Sequence, residues 1–224
     1  MKKYDVIIIG AGIAGCGLAY NLKKFGYEGS VLIIDKENIG RHANNYKNTF
    51  EEVIKEYNLP YYHKFKGIKL GLYDKVYFSL NINFYFIDYK EVCCNLCKNS
   101  NAEFKKETAL NLKDNILITN NSIYKYHYLI DCSGSNSFIK KLFNKTLPFR
   151  YWIGNIRILK NKINLDKKYF YHMFSNENFF EDFYPLLQTL PTPYKQDHLQ
   201  LVRRKYLFVM LHFYRNELQT DDTT

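Results

Sequence analysis

The sequence predicts an α/β fold in which a parallel sheet flanked by helices is joined to a β-rich second portion. Two stretches and one change of period carry that prediction. Residues 4–35 read as strand, glycine turn, helix and strand. Residues 128–143 read as a strand ending in small residues before a short helix. Between them the pattern shifts to short strands that alternate or run apolar.

In the first stretch Val6-Ile7-Ile8-Ile9 leads into Gly10-Ala11-Gly12-Ile13-Ala14-Gly15, and Val31-Leu32-Ile33-Ile34 ends on Asp35. This is a Rossmann-like dinucleotide fingerprint with its structural context present. Gly10 is expected to turn the strand tightly into the helix, Gly12 to bare the backbone for a pyrophosphate, and Gly15 to let helix and strand pack closely. The helix N-terminus then offers free N–H groups and its positive dipole end to the phosphates. Ala14, Leu18, Leu22 and Phe25 recur at helical spacing and are expected to cover the sheet, with Gly26 stopping the helix. Asp35, at the tip of the second strand, is placed to accept hydrogen bonds from a ribose diol.

The N-terminus also resembles a lipoprotein signal, with Lys2-Lys3 before an apolar run that ends in Ile13-Ala14-Gly15-Cys16. Asp5 and the interrupting glycines argue against it, and cleavage before Cys16 would discard the turn that Asp35 completes.

With 46% hydrophobic and 17% aromatic residues, the composition is that of a folded globular protein, and no apolar run is long enough to span a membrane as a helix. The five cysteines are odd in number and three cluster at Cys93, Cys94 and Cys97, which does not read as a disulfide framework and suits reduced, cytoplasmic thiols. Cys94-x-x-Cys97 lacks a second ligand pair nearby for zinc, so buried helix cysteines are expected. The net charge of +10 is uneven: residues 137–172 hold nine Lys or Arg against Asp166 alone. That run suits a solvated face, or peripheral contact with an anionic membrane surface or acidic substrate, and no nucleic-acid motif accompanies it.

Lys36 to Asn45 reads as a polar loop returning to the cofactor edge, with Arg41 available to a pyrophosphate and His42 near a redox ring. Thr49 is expected to cap a helix ending before Pro60. Residues 67–72, 75–80 and 81–87 predict a small antiparallel sheet turning at Tyr73-Asp74, and 88–99 a helix. Short strands follow at 102–108, 116–119 and 123–126, the last two joined through Asn120-Asn121. Leu129-Ile130-Asp131-Cys132-Ser133-Gly134 then brings backbone to the same sheet edge, before a helix over 137–143. Strands are expected near Trp152–Ile158 and Tyr169–Phe174, and their aromatic residues read as ordinary core before pocket lining.

Over residues 4–145, the fingerprint, the Ile39-Gly40-Arg41 loop, the Phe84-Tyr85-Phe86-Ile87-Asp88-Tyr89 strand and the Leu129–Gly134 segment occur in the order seen in one family. The chain resembles the glutathione-reductase-type FAD oxidoreductases, in the branch with geranylgeranyl reductases, lycopene cyclases and aromatic-ring hydroxylases. The resemblance implies a Rossmann-like FAD-binding domain over 1–65 and 88–147, and a β-rich substrate-binding portion over 66–87 and 148–224, short at its C-terminus. It implies FAD held by Gly10, Gly12, Ile13, Ala14 and Gly15 at the pyrophosphate, by Asp35 and Lys36 at the adenosine ribose, and by Arg41 near the phosphates. Thr108 or Ala109 would meet the adenine by backbone, and Gly134 would pack close to the cofactor.

The implied function is an FAD-dependent oxidoreductase, with NAD(P)H as a candidate reductant and an isoprenoid or other apolar or anionic small molecule as substrate. No side chain announces itself as a catalytic acid or base. The same turn also suits an NAD-binding dehydrogenase, or a nucleotide-binding fragment without redox activity. Two departures bear on the choice. Tyr89 stands where many members carry an arginine that contacts the cofactor, and no Gly-Asp segment for the ribityl chain follows residue 150.

Overall fold

Strand β1 (Lys2–Ile9) and helix α1 (Ile13–Lys24) form around the predicted turn, and β2 (Val31–Asp35) follows. The computed structural model describes residues 1–41, 46–72, 75–134, 137–144, 152–153, 166–176, 179–183 and 214–215. The chain continues through β3 (Tyr46–Phe50), α2 (Glu51–Tyr57), β4 (His63–Phe65), β5 (Gly67–Leu72), β6 (Lys75–Leu80), β7 (Phe84–Asp88) and α3 (Tyr89–Lys98). Then come β8 (Glu103–Lys106), β9 (Ala109–Lys113), β10 (Ile116–Thr119), β11 (Ile123–Asp131) and α4 (Phe138–Leu142). Last are β12 (Trp152–Ile153), β13 (Tyr169–Asn176), β14 (Phe179–Phe183) and β15 (Tyr214–Arg215).

The chain divides into two compact units: residues 1–47, 53–60 and 87–147, and residues 48–52, 61–86 and 148–224. Residues 61–65 thus belong to the second unit.

The first unit is built on a sheet of order β8-β2-β1-β11-β10-β9. The strands β8, β2, β1 and β11 run parallel, and β10 and β9 return antiparallel. Ile7, Ile8, Leu32, Ile33 and Ile34 are wholly buried, which is why both central strands read as unbroken apolar runs. Each such side chain contributes about 1.5–3 kcal/mol by leaving water. On one face Ile7, Ile9, Leu32 and Ile34 join Tyr4, Leu117, Tyr124 and Tyr126 in a core closed by Ala109, Leu112, Leu129 and Phe138.

Helix α1 covers the sheet with a different stripe from the one its spacing predicts. Gly15, Cys16 and Ala19 are buried, whereas Ala14 is exposed, Leu18 and Leu22 are half-buried and Phe25 is 81% exposed. Close approach decides the face: a Cβ on Gly15 would stand 1.9 Å from the Gly10 carbonyl oxygen and 3.2 Å from Ile8 Cγ2, so only small residues fit. Leu18, Leu22 and Phe25 instead line a shallow surface groove with Tyr27. The helix stops at Gly26 as expected, with Gly26 N–H donating to Lys23 O and Tyr27 N–H to Leu22 O.

Helix α3 is capped by Asp88, whose Oδ1 accepts the Glu91 N–H at 2.9 Å, and it buries Val92, Cys93, Leu96 and Cys97. All five cysteines are free; Cys94 is exposed. Cys16 of α1 is neighboured by the Cys93 and Cys97 thiols. Its own Sγ donates to Ala11 O at 3.4 Å. The bond with Cys93 first, and then burial, push its pKa up to about 12 against the lowering effect of the bond with Cys97. Among the described residues no group of three or more His, Cys, Asp or Glu could hold a metal ion.

Several element boundaries differ from expectation. Thr49 lies within β3, which pairs with β7 and so stays extended, and the helix starts two residues later at Glu51, where two acids favour its N-terminus. Strand β7 begins only at Phe84 and joins β3 and β4, so it is not a third strand beside β5 and β6. The stretches 123–126 and 128–131 are one strand, β11, in register with β1 from Lys2↔Tyr124 to Ile9↔Asp131. Strand β9, unpredicted, holds Ala109.

In the second unit β5 and β6 pair antiparallel, as expected, within a sheet of order β14-β13-β5-β6. There β13 runs parallel to β5, and Phe170 packs on Phe65 and Phe84. The two-residue strands β12 and β15 pair with each other. His42, the Tyr73-Asp74 turn, residues 154–158 and most of 199–214 lie outside the described residues.

Candidate functional site

The site of the first unit forms where β1, β2 and β11 end together. Gly10 takes φ +110 there, and a Cβ would stand 2.4 Å from the Cys132 carbonyl oxygen, so no other residue fits the turn. Two further bonds tie the strand ends: Gly10 N–H to Ile34 O, and Cys132 N–H to Ile9 O, each 2.7 Å. Gly40 N–H donates to Ala11 O at 2.9 Å and pins the following loop to the same turn.

Asp35 is the organising acid. Its Oδ2 accepts the Ala11 N–H at 2.7 Å and its Oδ1 the Glu37 N–H at 2.9 Å. Each carboxylate oxygen has a second lone pair, so the fixed carboxylate keeps acceptor capacity for a ribose hydroxyl.

A cleft of about 290 Å³ opens beside it, lined by Gly10, Asp35, Lys36, Glu107, Thr108, Ala109, Ser133, Phe138 and Lys141, with Ile9 and Ile34 at its floor. Five residues singled out in the sequence, Gly10, Asp35, Lys36, Thr108 and Ala109, therefore meet in one cavity. Thr108 is already engaged: its N–H donates to Asn120 Oδ1 at 2.8 Å and its carbonyl accepts the Asn120 N–H at 3.1 Å.

Glu107, Ser133, Phe138 and Lys141 are the cleft residues that sequence reading missed. Glu107 is buried and accepts from the hydroxyls of Thr119 (2.6 Å), Tyr124 (2.9 Å) and Ser122 (3.3 Å). Ser133 belongs to a cap built by Asp131, which accepts the Ser133 N–H and Ile139 N–H at 2.9 Å, the Ser137 hydroxyl at 2.5 Å and the Ser133 hydroxyl. Burial opposes the Asp131 charge, but these donors prevail and hold its pKa below the ordinary carboxylate value. An acid followed by serines two and six residues later was the available sequence signal for this cap.

Other residues stand apart from the cleft. Gly12, Ile13, Ala14 and Gly15 form the first turn of α1, where Ile13 and Ala14 are exposed. Arg41 is exposed and pairs at 3.6 Å with Glu37. Gly134 adopts φ +81, but a Cβ there would meet nothing within 4 Å, so its glycine serves the turn and packs against no protein atom. A Cβ on Gly12 would stand 2.9 Å from the Tyr89 hydroxyl oxygen, which accepts the Ile13 N–H at 2.9 Å.

A family model described as FAD dependent oxidoreductase matches residues 5–49, the segment that contains the turn, α1, β2 and Asp35. Superposition on known structures extends the likeness to nearly the whole chain. A probable FAD-dependent monooxygenase, PqsL, from Pseudomonas aeruginosa shares 12% identity at a TM-score of 0.66, covering 95% of this chain and 61% of that one. The fold is that of FAD-binding flavoproteins. The flavin-dependent brominase Bmp2 (18%, TM-score 0.64) covers 83% of this chain and 53% of its own. A geranylgeranyl bacteriochlorophyll reductase-like protein from Thermoplasma acidophilum (15%, TM-score 0.59) covers 96% and 57%. The chain spans less than two thirds of the length of these flavoproteins.

The flavoprotein fold puts a test to the cleft, and the residues fit the adenosine half of the cofactor. They offer a fixed carboxylate with spare lone pairs and an apolar floor.

Proposed function

We propose that the first unit binds FAD and that the protein is an FAD-dependent oxidoreductase. The observation that carries this reading is the meeting of Gly10, Asp35, Lys36, Thr108 and Ala109 around one cleft at the ends of parallel strands. The flavin, when bound, supplies the electron chemistry. Asp35 holds the ribose diol while Ala11 and Glu37 N–H groups keep its carboxylate in place. The Ile9 and Ile34 floor takes the apolar face of the adenine, and the Ala109 backbone with the second lone pair of the Thr108 carbonyl takes its polar edge, the Thr108 N–H being held by Asn120. The first turn of α1 faces the pyrophosphate, and Gly134 lets backbone approach it from β11. Arg41 reaches the phosphates only by exchanging Glu37 for them, which its exposure permits.

NAD(P)H is proposed as the reductant and an apolar, isoprenoid-like molecule as the substrate class. The support for the latter is the geranylgeranyl bacteriochlorophyll reductase-like protein among the structures that share this fold. Purified protein is expected to be yellow, or to take up added FAD with quenching of flavin fluorescence, and to be protected by it against heat. A colourless preparation that ignores FAD but is stabilised by NADH would replace this reading with a nicotinamide-binding dehydrogenase.

A further inference from the structure

We propose that the Tyr89 hydroxyl is a built-in occupant of the pyrophosphate end of the dinucleotide site. In the free protein it holds the Ile13 N–H, and it must yield that group when a diphosphate arrives. The inference rests on the FAD reading of the Gly-rich turn and adds the residue that sets how tightly the turn takes a dinucleotide.

The geometry is specific. Ile13 is the first residue of α1, and its N–H is among the free donors that a helix N-terminus presents to an anion. Tyr89 Oη accepts it at 2.9 Å. The same oxygen lies 2.9 Å from where a Gly12 Cβ would stand, so the space cleared by the absent side chain is taken by the phenol.

Tyr89 is also held in place. It opens α3 behind the Asp88 cap, and the first turn of α3 is pressed by Gly40, whose Cβ would stand 2.8 Å from Lys90 Cα and 2.9 Å from Cys93 Cβ. Burial raises the phenol's pKa, so at neutral pH it stays an uncharged acceptor for the N–H. A diphosphate oxygen is the stronger acceptor for a helix-terminal N–H because it carries charge. Binding therefore displaces a neutral hydrogen bond and loses part of its gain to that exchange.

The test is isothermal titration of wild type and Tyr89→Phe with FAD, and with adenosine, which reaches the Asp35 end and has no phosphate. Phenylalanine keeps the ring and its packing and removes only the hydroxyl. FAD is expected to bind Tyr89→Phe about fivefold more tightly, the worth of one neutral hydrogen bond, with adenosine unchanged. Equal or weaker FAD binding by the variant overturns the inference and leaves the FAD reading standing, because the hydroxyl would then be indifferent to the diphosphate or donate to it. A gain for adenosine as large as for FAD also overturns it. FAD ignored by both proteins overturns both readings. As a second readout, the Ile13 amide resonance of the free protein is expected to shift in Tyr89→Phe, and an unmoved resonance counts against the contact.

Discussion

One methyl group has opposite consequences at two glycines of α1. At Gly15 a Cβ would lie 1.9 Å from the Gly10 carbonyl oxygen, a backbone atom fixed by the turn, so the helix has to move off β1. At Gly17 a Cβ meets nothing within 4 Å, and alanine only removes backbone freedom from the unfolded chain. Gly15→Ala is expected to cost about 3 kcal/mol and Gly17→Ala to add up to about 1 kcal/mol. In thermal unfolding followed by circular dichroism that places the two midpoints about 10 °C apart. Coincident midpoints would contradict the packing described for α1.

The Asp131 cap joins β11 to α4 and makes the approach to the cleft sensitive to acid. Its folded-state pKa lies below the ordinary value of 3.8, so its contribution is complete above about pH 4 and is lost as pH falls through the folded value. Asp131→Asn is expected to be less stable than wild type at pH 7 and to flatten the acid limb of stability against pH. Midpoints measured from pH 7 to pH 2.5 decide it, and parallel curves would remove Asp131 from the account.

Elements governed by continuous apolar runs or glycine turns were legible in the sequence: β1, the Gly10 turn, β2 and Asp35 at its tip. Features set by distant partners were not. The buried face of α1 is chosen by its distance to Gly10 and Ile8, while Leu18, Leu22 and Phe25 make the stronger apolar pattern. Glu107 looked like any strand-end acid, because the hydroxyls that satisfy it come from Thr119, Ser122 and Tyr124 across the sheet. Strand β11 read as two because His127 interrupts its residues between 126 and 128, although it lies on the exposed side of one continuous strand.

For the whole molecule, the seam between α1 and α3 has a practical consequence. Cys16, Cys93 and Cys97 are buried there beneath the glycine turn, while Cys94 is exposed on the same helix. A thiol needs both contact with reagent and conversion to thiolate, and burial with thiol neighbours denies Cys16 both. Treated with a thiol reagent near pH 8, the chain should therefore show an early phase that includes Cys94 and a later one paced by separation of α1 from α3. Because the glycine turn leads into α1, a dinucleotide seated on it would lengthen the later phase and leave Cys94 unaffected. Labelling of all five thiols in a single rapid phase would rule this out. The native cysteines thus serve as a stopwatch for opening of the nucleotide-binding unit, with the start signal and the running hand on one helix.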